Sequence, residues 1–327
     1  MSYKNIDGLM RHLRDNGISI SGSKQKRQLM NTGYFHGYKG YRFFQTASKK
    51  IPYTNYDDVY ATIKYDSQLK ALFYEKIMYI ETAVKNISLE CILNEAKSEN
   101  IQDMYNRVVC GYHNCPSGSD EKTKKKAQEN KLKLENDIQA YLFRAYKDNN
   151  PKITHFYNNM SYSGVPLWAL FEIITFGDFG KLLSCLTWKT RDALTQKLGL
   201  NVGAIDTNRE LIYKYIYTLK DLRNAIAHNS VVFDTRFKKS DPSKAMTLCL
   251  EQYFKLPYVN FKTLGDYLFL ICYYLKLLKV SKTEIKAFIR NFENITQEYQ
   301  NTVSPYVYNM VVHPDLKNRI NLVKNKI

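Results

Sequence analysis

"LKALFYEKIMYIETAVKNISLECILNE", residues 69–95, places an apolar side chain at every third or fourth position. The recurring positions are Phe73, Ile77, Ile80, Val84, Ile87 and Cys91. Because residues three and four apart share one face of an α-helix, this spacing predicts a long amphipathic helix. The same spacing occurs along most of the chain, whereas few stretches alternate with the period of two that a strand requires. We therefore predict an all-α protein, built as a helical bundle.

Ten further helices are predicted from the same periodicity and from start and stop signals. They cover residues 3–15, 22–32, 56–67, 122–147, 166–176, 178–186, 188–198, 206–228, 260–279 and 282–300. Ser21 is a plausible start signal, and "SKTE" (281–284) has the form of a capping box with Ser281 and Glu284 in the reciprocal positions. Three segments interrupt the helices: the glycine- and aromatic-rich 33–45, a predicted loop over 150–166 and a polar connection over 234–244.

The order of these elements suggests three regions and no independently mobile domain. Residues 1–55 form an N-terminal helical extension, and residues 56–300 form the main helical domain. A charged segment is inserted around 95–165, and residues 301–327 are predicted to be a C-terminal tail.

The formal net charge of +17 is the most informative property of the composition. A basic excess of this size favours a polyanionic partner, either nucleic acid or an anionic membrane surface. Of the 48 basic residues, 36 are Lys and 12 are Arg, a bias that an AT-rich genome could also produce. Such a bias does not by itself deplete Asp and Glu, so we expect contact with nucleic acid.

The cysteines and the apolar segments point to a cytoplasmic protein. The start of the chain lacks an apolar core and a cleavage site of the kind found in signal peptides, and six scattered cysteines are expected to be reduced. "YLFLICYYL" (267–275) is too short to span a bilayer and predicts a buried helix. "CGYHNC" (110–115) is followed by no second ligand pair at zinc-finger spacing, so we predict neither a metal site nor a cofactor.

"DLRNAIAHNS" (221–230) ends the predicted helix 206–228 with two cationic side chains. On a helical wheel Arg223 falls within about 20° of Ile212, inside the apolar stripe, and His228 lies about 140° further round. An arginine in an apolar face must find an anion or a carboxylate, and the last turn of a helix favours positive charge. One interpretation is structural: Arg223 forms a buried ion pair with Glu81 or Glu172, and His228 caps the helix.

The functional interpretation is cleavage of RNA by its own 2′-hydroxyl. Imidazole titrates near neutral pH, so a histidine can take the proton of that hydroxyl or give one to the leaving oxygen. An arginine can stabilise the charge that develops on the phosphate, and no metal is required. One Arg–His pair is only half of such a site, so two copies facing each other across a two-fold axis would complete the cleft.

Four stretches together resemble the Abi-like family of phage abortive infection proteins, AbiD and AbiF. Within them, "RNAIAH" (223–228) resembles the R-N-x3-H signature of HEPN ribonucleases, all-helical proteins whose active cleft forms between two HEPN units. The stretches are "LMNTGYFHGYKGYRFF" (29–44), "YDDVYATIKYDSQLKALFYEKIMYIETAVKNISL" (56–89), "PLWALFEIITFGDFGKLL" (166–183) and "LRNAIAHNSVVFD" (222–234). The final third of the chain is covered only by its helical character.

The resemblance implies a metal-independent endoribonuclease that acts as an anti-phage toxin on host or phage RNA. It implies catalytic roles for Arg223, Asn224 and His228, with Glu172 and Glu81 as supporting carboxylates, a HEPN-like core within 56–300, and a homodimer joined through the HEPN face. Some relatives are encoded beside a small non-coding RNA, so a structured RNA partner is expected as well.

Two positions depart from the family pattern. Relatives often have Arg where this chain has Val231, and Arg where it has Lys85. Losing an arginine beside the cleft could weaken phosphate binding or change the substrate, but it leaves the catalytic pair.

Basic residues outside the signature are candidates for RNA contact. In 33–45, the aromatic residues favour a folded core, with Lys39 and Arg42 available to RNA, although stacking on RNA bases is the alternative. The run Lys122, Lys124, Lys125 and Lys126 is typical of a solvated helix face and is our candidate for further phosphate contacts. The competing function is a non-catalytic RNA-binding regulator; a membrane-surface protein fits less well, since no helix combines a basic face with a clean apolar one.

Overall fold

Helices dominate the computed structural model, which describes residues 5–162, 164–200 and 202–327. Within these residues the only strand-like pairings are isolated bridges, so the all-α prediction is confirmed. The helices are α1 (Ile6–Asp15), α2 (Gly22–Tyr34), α3 (Tyr56–Ala96), α4 (Ile101–Arg107), α5 (Glu121–Lys147), α6 (Pro151–Asn158), α7 (Leu167–Ile173), α8 (Phe176–Cys185), α9 (Trp188–Leu198), α10 (Leu211–Ala227), α11 (Lys244–Phe254), α12 (Leu264–Leu277), α13 (Lys282–Thr302), α14 (Pro305–Val311) and α15 (Leu316–Lys326).

Most predicted helices are present, with shifted ends that have local causes. The helix predicted over 3–15 begins at Ile6, and residues 3 and 4 lie outside the described residues. The helices predicted over 56–67 and 69–95 are one helix of 41 residues, since no glycine or proline interrupts them. Helix α10 begins at Leu211 rather than at 206, because the Asp206 carboxylate accepts hydrogen bonds from the Glu210 and Leu211 N–H groups.

The prediction of a loop over 150–166 is wrong for its first half, which forms α6. Asn150 accepts a hydrogen bond from the Lys152 N–H, and Pro151 occupies the first turn, so two residues that suggested a loop are the start signals of a helix. The same combination recurs in the predicted tail, where Ser304 caps α14 and Pro305 follows. The capping box of Ser281 and Glu284 is confirmed.

The chain divides into two units by its internal contacts. The first unit comprises Met1–Ile77, Asp221–Ser243 and Leu250–Ile327, and the second comprises Met78–Lys220 and Lys244–Cys249. These bounds differ from the segments 1–55, 56–300 and 301–327, which remain a prediction about domains.

In each unit one helix packs against several others. In the first unit, α12 is buried from Leu264 to Leu275 and packs against α13 and α15, so the buried helix predicted from "YLFLICYYL" is confirmed. In the second unit, α5 packs against α6, α7 and α8 through Leu134, Ile138 and Leu142.

A buried ion pair anchors the C-terminal helix of the first unit. The Arg319 guanidinium donates to the Asp266 carboxylate and, at 2.9 Å, to the Tyr258 carbonyl. The guanidinium carbon of Arg319, Cζ, lies 4.4 Å from the centre of the Tyr258 ring and 5.0 Å from the centre of the Phe269 ring. Asp266 also accepts from the N–H groups of residues 260 and 261, so one contact joins α15, α12 and the loop before α12.

We expect Arg319→Leu to lower the free energy of unfolding by about 3–5 kcal/mol, because the substitution leaves the Asp266 carboxylate buried without its cation. The matched control is Lys324→Leu in the same helix, which removes a partly exposed pair with Glu293 and should cost about 0–1 kcal/mol. Urea unfolding followed by circular dichroism measures both. Equal losses for the two variants would contradict the anchoring role of Arg319.

Candidate functional site

Helix α10 ends at Ala227, just before His228, and backbone hydrogen bonds close this end of the helix. The Ser230 N–H donates to the Ala225 carbonyl at 2.8 Å, and the Asn229 N–H donates to the Ile226 carbonyl at 3.0 Å. Asn229 adopts φ of 50°, the left-handed conformation that closes such a terminus. His228 is therefore the C-cap residue, as the structural interpretation predicted, and its side chain is exposed.

Arg223 and Asn224 lie one turn before His228. The Arg223 Nη1 donates to the Asn224 Oδ1 at 3.1 Å, so the amide helps to orient the guanidinium. Leu222 is fully buried while Arg223 and Asn224 are half-buried, so Arg223 is more exposed than its predicted position inside the apolar stripe indicates. The structure thus brings Arg223, Asn224 and His228 together at one helix end.

A buried carboxylate on α3 fixes the backbone that follows His228. The Asp66 Oδ1 accepts hydrogen bonds from the N–H groups of Val232 and Phe233, both at 2.8 Å. The Lys70 Nζ lies 2.8 Å from the Asp66 Oδ2 and donates to the Asn229 Oδ1 at 3.0 Å. Because Asp66 is fully buried and Lys70 nearly so, these bonds are shielded from solvent. Helix α3 therefore holds the residue next to His228 in place.

The aromatic segment 33–45 is hydrogen-bonded to the same carboxylate, that of Asp66. The Tyr41 hydroxyl donates to the Asp66 Oδ2 at 2.9 Å; burial, and then the charge of Asp66, raises the pKa of Tyr41 and keeps its proton on the oxygen. Tyr38 and Tyr41 are buried, and Tyr41 stacks on Phe233 with ring centres 6.0 Å apart. The core interpretation of these tyrosines is confirmed.

A second carboxylate, that of Asp234, is also hydrogen-bonded to this segment. The Asp234 Oδ2 accepts from the Gln45 N–H at 2.6 Å and from the Arg236 guanidinium. Arg236 in turn donates to the carbonyls of Gly40 and Phe43. Of the two basic residues proposed for RNA contact in 33–45, Lys39 is exposed, whereas Arg42 is half-buried with its guanidinium 4.4 Å from the centre of the Phe43 ring.

The two positions that depart from the family pattern have structural partners. Val231 is buried and packs against Gly40. A Cβ atom added to Gly40 would lie 3.5 Å from the Val231 Cγ2. The Lys85 Nζ forms an ion pair with Glu81 at 3.0 Å and donates to the Ile174 carbonyl at 2.9 Å. Ile174 is the C-cap of α7, so Lys85 satisfies a terminal carbonyl of that helix.

The two predicted supporting carboxylates differ in exposure. Glu81 is buried and lies beside Lys85. The Glu172 side chain is 52% exposed and pairs with Lys152 at 2.5 Å. A buried ion pair of Glu172 is therefore wrong, because Glu172 lies on the solvent face of α7 while Leu167, Leu170 and Phe171 form its buried face.

The basic run lies at the start of α5, where Asp120 caps the helix. Lys122, Lys125 and Lys126 are exposed, as predicted for a solvated helix face. Lys125 and Lys126 have acidic neighbours on the same helix, Glu121 at 3.9 Å and Glu129 at 3.2 Å, and the Lys124 Nζ lies 6.0 Å from the centre of the Tyr112 ring.

The cysteine cluster of the second unit is a pair of thiols. The Sγ atoms of Cys110 and Cys115 lie 3.5 Å apart. Burial, followed by the hydrogen bond with Cys115, raises the pKa of Cys110 to about 12, so this thiol is a weak nucleophile at neutral pH. In the described part of the chain, no three His, Cys, Asp or Glu side chains are grouped as a metal site needs.

The model of the family described as Abi-like protein matches residues 27–234, nearly two thirds of the sequence. The chain belongs to the Abi-like family, and this membership associates it with abortive infection, a form of phage defence. No curated protein matches the chain, and no solved structure does. Within residues 5–162, 164–200 and 202–327, no helix has both the length and the hydropathy needed to cross a bilayer.

Sequence reasoning missed the residues that position the signature. Asp66 and Lys70 lie four residues apart, and on a helical wheel Asp66 falls within about 20° of Phe73, inside the apolar stripe of α3. A charge inside an apolar stripe is the signal that identified Arg223, and it would have identified Asp66. Asn229 carried a weaker signal, since asparagine after a helix end is typical of the left-handed cap.

We expect Lys70→Met to loosen residues 229–234, because it leaves the buried Asp66 carboxylate without its cation. Amide hydrogen exchange of Val232 and Phe233 should accelerate by roughly 100-fold or more. Lys64→Met on the same helix is the matched control: it removes an exposed pair with Glu298 and should change that exchange by less than about fivefold. Unchanged protection in Lys70→Met would show that Asp66 does not depend on its cation.

Proposed function

We propose that this chain is a metal-independent HEPN endoribonuclease that acts as an abortive-infection toxin and is bound or controlled by a small structured RNA. The observation that supports the proposal best is the helix end itself. His228 is exposed at the C-cap of α10, and one turn earlier Arg223 is oriented by a hydrogen bond from its Nη1 to the Asn224 Oδ1. The imidazole proposed for proton transfer and the guanidinium proposed to bind phosphate therefore both lie at the end of α10.

The chemistry can be written for these residues. The 2′-oxygen of a nucleotide bonds to the adjacent phosphorus while its proton passes to the imidazole of one His228. The bond from phosphorus to the 5′-oxygen breaks, and that oxygen takes a proton from an imidazolium. The products carry a 2′,3′-cyclic phosphate and a free 5′-hydroxyl. The Arg223 guanidinium binds the phosphate oxygens, on which negative charge increases in the transition state.

A single chain supplies one His228, whereas the step uses a base and an acid at the same time. We therefore propose a homodimer in which two α10 ends face each other across a two-fold axis, so that each copy contributes one imidazole and one guanidinium. The net charge of +17 fits an RNA substrate, and the exposed Lys122, Lys125 and Lys126 are candidates for further phosphate contacts.

The first test is cleavage of total RNA in EDTA by the wild type, Arg223→Ala and His228→Ala, with analysis of the new ends. The wild type should generate 2′,3′-cyclic phosphates, and each variant should lose about 100-fold or more of the rate, as expected for removal of an acid–base group or of an oxyanion contact. His113→Ala and Arg290→Ala, at exposed positions, are the matched controls. Full activity in His228→Ala would refute the catalytic role. RNA binding without cleavage by any of the proteins would favour a non-catalytic regulator.

The dimer requirement predicts how activity responds to dilution and mixing. The cleavage rate per chain should fall as the protein is diluted below its dimer dissociation constant, measured by sedimentation under the same conditions. When wild type and an equal amount of His228→Ala exchange subunits freely and only the wild-type homodimer is active, about one quarter of the dimers should keep full activity. A monomer with undiminished activity would contradict the shared cleft.

A further inference from the structure

A chain of four aromatic rings lies on the second unit, at α6 and the start of α7. The ring centres of His155 and Tyr162 are 5.2 Å apart, those of Tyr162 and Phe156 are 4.9 Å apart, and those of Phe156 and Trp168 are 5.4 Å apart. Phe156 is buried, whereas Trp168 is 44% and Tyr162 is 45% exposed. The buried ring thus supports two exposed rings edge to face and limits their rotation. We call the cavity beside these rings the aromatic cleft.

A second wall of the aromatic cleft is formed by polar residues. They are Ser98, Glu99 and Asn100, which follow the end of α3. The hydrogen bond from the Leu167 N–H to the Glu99 carbonyl, 2.9 Å long, holds this wall against the start of α7. The cleft has a volume of about 490 Å³, within the usual range for a small-molecule site. A lining that combines aromatic rings with polar residues matches a nucleobase, which has flat faces and a hydrogen-bonding edge.

Lys152 lies one turn of α6 before Phe156, so the two residues share one face of that helix. Lys152, in the first turn of α6, pairs with Glu172, which follows Trp168 by one turn of α7. Both side chains are about half exposed, and such surface pairs contribute little net stability, so a phosphate could replace the carboxylate at Lys152. Arg144 and Lys147 at the exposed C-terminal end of α5 add positive charge in the same unit.

We propose that the aromatic cleft binds an unpaired nucleotide of single-stranded RNA, with its base stacked on Trp168 or Tyr162 and an adjoining phosphate bound by Lys152. The choice of RNA as ligand rests on the proposed function and on the net charge of +17. The lining itself favours a base over a protein segment, because its large exposed apolar side chains, Trp168 and Tyr162, are both aromatic.

The two tryptophans of the chain give a direct assay. Trp188→Phe leaves Trp168 as the reporter, and Trp168→Phe leaves Trp188, which is 43% exposed and provides a matched control. Both carry His228→Ala, so that the RNA is not cleaved. Titration with an unstructured eight-nucleotide oligoadenylate should quench Trp168 fluorescence saturably and leave Trp188 nearly unchanged. The same change in Trp168 produced by protein concentration alone, without RNA, would identify a second copy as the occupant and overturn the proposal.

Affinity measurements separate a binding role from a structural one. By anisotropy of the labelled oligonucleotide, Trp168→Ala should weaken binding by about 5- to 150-fold, the usual effect of losing one stacked base, and Trp188→Ala should not. Lys152→Gln should weaken binding and reduce the salt dependence by about one unit of slope, whereas Glu172→Gln should strengthen binding by freeing Lys152. Loss of a merely structural pair would instead affect both variants in the same direction.

The outcomes distinguish this proposal from the nuclease proposal. Saturable quenching of Trp168 without cleavage by the wild type supports the cleft and contradicts the nuclease. Cleavage by the wild type without quenching, and with equal affinities for Trp168→Ala and Trp188→Ala, supports the nuclease and overturns the cleft.

Discussion

The buried carboxylate of Asp66 is the contact on which the organisation of the first unit depends. It accepts two backbone N–H groups from residues 232 and 233 and the hydroxyl of Tyr41, and its charge is balanced by Lys70. A buried carboxylate without these donors would be very costly, so α3, the aromatic segment 33–45 and the chain after α10 can only form this core together. The position of His228 is a consequence, because Lys70 also binds the residue that follows it.

The same solution recurs at three other irregular segments. Asp206 accepts the N–H groups of Glu210 and Leu211, Asp234 accepts the Gln45 N–H, and Asp266 accepts the N–H groups of residues 260 and 261. A buried loop leaves N–H groups that no helix can satisfy, and the short two-oxygen side chain of aspartate reaches two of them at once. For Asp234 and Asp266 an arginine balances the charge, as Lys70 does for Asp66. In this protein, buried aspartates thus accept hydrogen bonds from backbone N–H groups that lie outside the helices.

The sequence predicted what depends on neighbouring residues and missed what depends on distant ones. The stripe of α3, the buried α12 and the capping box at Ser281 each rest on spacing within one helix, and each is present. The sequence around α6 predicts a loop because Asn150 and Pro151 are common both in loops and at helix starts, and only packing distinguishes the two. One alternative predicts a buried ion pair of Glu172, because the residues around it in the sequence are apolar. Most of those residues form the buried face of α7, whereas Glu172 lies on the solvent face and pairs with Lys152 from a different helix. The signature Arg223, Asn224 and His228 could be found by pattern, but the network around Asp66 joins residues more than 160 positions apart.

At the end of α10 the backbone of His228 is fixed, whereas its side chain is exposed. Proton transfer needs an imidazole whose origin is fixed to a fraction of an ångström, yet the ring must remain open to its substrate. Here the backbone on both sides of His228 is fixed, by the α10 hydrogen bonds before it and by Lys70 and Asp66 after it, while the side chain itself is exposed. The Asp66 and Lys70 side chains that fix this backbone are buried, so exposed residues around His228 can vary without disturbing them. In the proposed reaction one chain provides only one of the two imidazoles, so we expect the assembly of two copies to be the step at which the proposed activity is controlled.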